Sequence, residues 1–83
     1  MQTLPEIMDY LRLSIELGRV GYVKAIIEEQ QLTIGLQDLL RCRCYSCRLW
    51  EKSDYEYKHL KTELEVIYRY FIAVCDVWFN RVS

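Results

Sequence analysis

The chain has 83 residues, enough for one hydrophobic core and too few for two. Its apolar fraction of 52% and its mere three glycines and one proline exclude a disordered, collagenous or loop-rich protein. A formal net charge of −1 excludes the strongly basic balance that marks non-specific nucleic-acid or anionic-membrane binding.

Period-two alternation is absent, whereas apolar residues recur at three- and four-residue steps throughout. The fold class expected is therefore all-α: a small three- to four-helix bundle with a long C-terminal helix, forming a single domain over residues 1–83. The first helix is expected over 4–17. Thr3 and Glu6 form a capping box around Pro5, and Leu4, Ile7, Met8, Leu11 and Ile15 define one apolar face. Tyr10, Leu13, Leu17 and Val20 form a neighbouring stripe. Gly18 and Gly21 interrupt the pattern. A glycine costs about 1 kcal/mol inside a helix, so the pattern leans toward a kink or break here, with a short helix over 21–30; the alternative is a continuous helix in which the two glycines, three apart on one face, admit another backbone closely.

A third helix is expected over 34–50, capped by Thr33. Its buried face reads as Leu36, Leu40, Cys44, Cys47 and Trp50, with Leu39 alongside. This segment holds the local basic excess: Arg41, Arg43 and Arg48 surround Tyr45, with Asp38 and Glu51 nearby. Arginine with an interleaved aromatic suits an acidic protein partner or, as the alternative, nucleic-acid contact. The same arginines also suit a solvated face or pairing with Asp38 and Glu51 within the chain.

Cys42, Cys44, Cys47 and His59 make up the one set of ligand types that suggests zinc. The spacing argues against it. Structural zinc sites use two separated knuckles, and Cys42 and Cys44 point to opposite sides of any helix that contains both. Cys44 and Cys47 read instead as small buried hydrophobes, and no metal or cofactor is expected; a redox role, or a disulfide from Cys75 to one of the others, is the remaining alternative.

The last helix is expected over 54–80, opened by a capping box of Ser53 and Glu56. Tyr57, Leu60, Leu64, Ile67, Phe71, Val74 and Trp78 follow at alternating steps of three and four. Two further apolar stripes lie beside them, so the helix is apolar nearly all round and should be buried on nearly all sides. A helix of about 40 Å, at about 1.5 Å per residue, outruns what three short helices can cover. Dimerisation is expected to complete the bundle through Phe71, Val74, Trp78 and Phe79.

The apolar run 66–79 is too short to span a bilayer, which needs about 20 residues, and the first residues lack a basic, then apolar, leader pattern. A cytoplasmic protein with reduced cysteines is the expectation. No nucleophile, phosphate-loop or dinucleotide signature is present, and His59 is the sole histidine, so catalysis is not expected. The function anticipated is a small helical protein–protein interaction module, of adaptor, chaperone-like or inhibitory type, with partner contacts at Arg41, Arg43, Tyr45 and Arg48. The alternatives are a nucleic-acid-binding regulator built on 41–48, with or without zinc, and a phage- or virus-type inhibitor of a host protein.

Overall fold

The capping box at Thr3 forms as the sequence dictates. The Thr3 hydroxyl accepts from the Glu6 amide, and the Glu6 carboxylate accepts from the Thr3 amide at 3.3 Å. From that start the computed structural model, which describes residues 2–82, runs through α1 (Leu4–Glu16), α2 (Val20–Glu29), α3 (Leu36–Lys52) and α4 (Lys61–Val82). A 3-10 turn at Lys58–Leu60 leads into α4, and no strand occurs among the described residues. The expected domain ends, Met1 and Ser83, lie outside the described residues.

Gly18 breaks the first helix. It adopts φ +67, and the Arg19 amide donates to Ser14 O at 2.9 Å while its own amide donates to Ile15 O at 3.0 Å. This is a Schellman closure, which needs a left-handed residue and so favours glycine. It folds α2 back over the bundle. Lys24 then sits over the Tyr70 ring of α4, 5.6 Å from its centroid.

α1 buries the expected face, with Ile7, Met8, Leu11 and Ile15 in the core. The neighbouring stripe behaves differently: Tyr10, Leu13 and Leu17 are exposed and Val20 is half-buried. α3 departs from expectation twice. It begins at Leu36 rather than near Thr33, because Gly35 is the N-cap and its amide donates to the Asp38 carboxylate at 3.0 Å. Its innermost residues are Leu39, Cys42 and Ser46, with Ser53 at the cap, in place of Leu36, Leu40, Cys44, Cys47 and Trp50. The physical reason is that two serines hide the true seam. Ser46 donates its hydroxyl to Cys42 O at 2.8 Å, and Ser53 donates to Trp50 O. Each polar group is satisfied by its own helix, so both serines bury fully. Cys44 is exposed and Cys47 half-buried, which corrects their assignment to the core; Cys42 and Cys75 take that place.

Ser53 closes α3 and does not open the next helix. Residues 53–56 form a turn, and Tyr57 lies in left-handed backbone at φ 54. Lys61 at the head of α4 pairs with Asp54 at 2.6 Å. α3 and α4 run antiparallel: Trp50 stacks near Tyr68 with ring centroids 5.4 Å apart, and Cys44 lies beside Ile72 further along.

The α4 seam is buried at Leu64, Ile67 and Phe71, half-buried at Leu60, Val74 and Trp78, and exposed at Tyr57. The helix is not covered all round, since Val66, Ala73, Val77 and Phe79 face outward. Phe71, expected at a self-association surface, has 0% exposure and is the largest fully buried side chain of the chain's own core. No helix of the described residues is long and apolar enough to cross a membrane.

Candidate functional site: an arginine-rimmed groove between α1 and α3

The roll of α3 about Leu39 and Cys42 sends its two flanks to different neighbours. Arg41, Tyr45 and Arg48, at steps of four and three, share one flank and face the first half of α1. There they border a groove of about 460 Å³, floored by Leu4, Pro5 and Met8 and rimmed on the α1 side by Arg12. Arg43 sits on the opposite flank, in a smaller groove against α4 with Cys44, Cys47, Tyr68 and Ile72. The basic cluster of the sequence is thus divided: Arg41, Tyr45 and Arg48 come together, and Arg43 is apart from them.

The acids that stood near these arginines in sequence are engaged elsewhere. Asp38 accepts from the Gly35 amide, and Glu51 accepts from the Cys47 thiol at 3.3 Å. Arg12 is held by Asp9 at 2.6 Å. Among the described residues, Arg41 and Arg48 have neither an ion-pair nor a hydrogen-bond partner. Their guanidinium groups stand free at the edge of an apolar floor.

Tyr45 lies between them. Burial raises its pKa, and the nearby Glu16 carboxylate raises it further, against the pull of Arg12. Cys42, at the back of the groove, is pushed up to about 12 by burial, with Arg12 acting in the opposite direction. Both groups therefore stay protonated at neutral pH. The groove thus presents guanidinium donors, apolar surface, and a tyrosine and a thiol that both keep their protons.

The residues weighed for zinc do not converge. Cys42 is buried and Cys44 exposed on an unbroken helix, and His59 belongs to the exposed 3-10 turn before α4. Burial and the bond to Glu51 raise the Cys47 pKa, favouring thiol over the thiolate a metal needs. No group of three or more His, Cys, Asp or Glu side chains among the described residues is placed to hold a metal ion.

Arg12 and the floor residue Pro5 were not legible as site residues. Leu4 and Met8 read simply as core, and only the packing of α1 beside α3 brings Arg12 to the rim. A wider, shallower depression follows Gly18, Gly21, Tyr22 and Ala25, with Arg19 as its one charged neighbour. The α4 surface retains Val74 and Trp78 half-buried and Phe79 at 60% exposure, with Arg81 over the Trp78 ring at 5.9 Å. Comparison with family profiles, curated proteins and solved structures finds no match to this chain.

Proposed function

We propose that this chain is a protein–protein interaction module that acts by binding, with the α1–α3 groove as its partner site. The observation that carries this reading is the pair of unpartnered arginines, Arg41 and Arg48, beside the apolar floor of Leu4, Pro5 and Met8. Arginine next to apolar surface is the composition that protein interfaces favour, and a free guanidinium has no internal bond to give up on binding. Self-association belongs to the same proposal and uses a different surface, Val74, Trp78 and Phe79 on α4. A cytoplasmic setting suits the four free thiols.

The division of the basic cluster speaks against the nucleic-acid reading. With Arg43 on the far flank, and with Asp9 and Glu16 close to Arg12 and Tyr45, no continuous basic track lines the groove. The test is affinity capture from nuclease-treated extract with the wild-type chain and with a folded Arg41→Glu/Arg48→Glu variant. A protein retained by the first and released by the second supports the proposal. Equal retention by both, or retention of nucleic acid alone that fades steeply with salt, refutes it.

A further inference from the structure

Resting on the protein-binding reading, we infer that the groove takes an acidic amphipathic helix. Such a helix would present carboxylates two turns apart on either side of an apolar anchor.

The charge balance sets the sign of the partner. Arg12 is held by Asp9, Arg41 and Arg48 have no partner, and the one carboxylate that lines the groove, Asp38, is bonded to the Gly35 amide. The groove therefore keeps two guanidinium groups, Arg41 and Arg48, with donors to offer. A carboxylate supplies two acceptor oxygens in the planar geometry that a guanidinium fork matches.

The spacing sets the partner's shape. Arg41 and Arg48 stand seven residues apart on α3, a rise of about 10 Å at about 1.5 Å per residue. Acidic residues at i and i+7 of a second helix lying along α3 repeat that distance on one face. Residues i+3 and i+4 then fall between them, over the floor of Leu4 and Met8. An apolar side chain there covers Pro5, which is exposed, and Leu4, which is half-buried. The groove volume of about 460 Å³ falls within the range of ligand-binding clefts.

The apolar floor separates this partner from a nucleic acid strand. A strand brings phosphates at regular intervals and seeks aromatic faces for stacking. Here Glu16 lies close to Tyr45, and its negative charge opposes phosphate.

The test uses the full chain and a fluorescein-labelled helical peptide of roughly 15 residues, Ala- and Gln-based, with Glu at i and i+7 and Leu at i+3 and i+4. A control peptide of the same composition moves the second Glu to i+5, onto a different face. Fluorescence anisotropy is expected to show binding of the patterned peptide about tenfold or more tighter than the control. Arg41→Gln/Arg48→Gln is expected to weaken it by at least about tenfold, and Arg43→Gln to leave it unchanged. Arg41→Lys/Arg48→Lys, which keeps both charges, is expected to fall between, and circular dichroism checks that each variant is folded.

Absence of binding, equal binding of both peptides, or displacement of the patterned peptide by a single-stranded DNA oligonucleotide at lower concentration than by unlabelled peptide overturns the inference. If the patterned peptide fails while a captured protein still depends on Arg41 and Arg48, the protein-binding reading survives and the acidic-helix partner does not.

Discussion

Gly18 sets its bare α-carbon against Leu60: a β-carbon there would lie 3.0 Å from Leu60 Cδ2 and 3.2 Å from Glu63 Cβ, in backbone at φ +67. The turn between α1 and α2 is thus coupled to the approach of α4. Gly18→Ala is expected to destabilise the fold by about 1–3 kcal/mol, combining left-handed strain with the close contact. Gly21 is the internal control, since a β-carbon there would meet nothing within 4 Å and the residue belongs to α2. Gly21→Ala is expected to stabilise by up to about 1 kcal/mol. Urea denaturation of both variants checks the pair, and equal shifts of the same sign would contradict the closure assigned to Gly18.

Two phenylalanines of α4 should separate stability from association. Phe71 is fully buried and Phe79 is exposed. Phe71→Ala is expected to cost about 3–5 kcal/mol, while Phe79→Ala should leave monomer stability within about 0.5 kcal/mol of the parent. Under the proposed self-association, Phe79→Asp lowers the sedimentation-equilibrium mass of a well-folded chain. An unchanged mass would remove Phe79 from that surface.

The buried Cys42 thiol ties stability to alkaline pH. Its pKa rises from 9.0 to about 12 because burial penalises the thiolate. The unfolded chain therefore loses this proton first as pH rises, and the folded chain keeps it. The stabilisation is complete below about pH 9 and is lost between about pH 9 and 12, with a slope of at most about 1.4 kcal/mol per pH unit. Denaturation midpoints of wild type and Cys42→Ala across this window should converge as pH rises. Parallel curves would contradict the environment assigned to the thiol.

Thiol alkylation should follow exposure. Cys44 is exposed, Cys47 is half-buried and bonded to Glu51, and Cys42 and Cys75 are buried. Brief treatment of the native chain with iodoacetamide, followed by peptide mass spectrometry, should label Cys44 first and Cys42 and Cys75 last. Early labelling of Cys42 would place α3 in a different roll.

Much of the fold was legible because local chemistry and packing agree in α1 and α4. The Thr3–Glu6 box fixes the first start, and Leu64, Ile67 and Phe71 stand where their spacing puts them. The break at Gly18 followed from the cost of glycine in a helix. The roll of α3 was not legible, because Ser46 and Ser53 bury their hydroxyls on backbone carbonyls and so interrupt the apolar seam in the sequence alone. The start of α4 was hidden for a related reason. The Ser53–Glu56 pattern matches a capping box, yet Ser53 is held by the preceding helix. The groove inherits that roll: Arg41, Tyr45 and Arg48 were visible as a group, whereas Arg12 joins them only through the pairing of α1 with α3.

The most direct measurement is a titration of the isotopically labelled chain with the acidic patterned peptide, followed by heteronuclear NMR. Shifts are expected to concentrate at Leu4, Met8, Arg12, Arg41, Tyr45 and Arg48, which border the groove. Shifts centred instead on Val77 and Phe79, or on Tyr22 and Ala25, would contradict that placement, as would a spectrum that does not change.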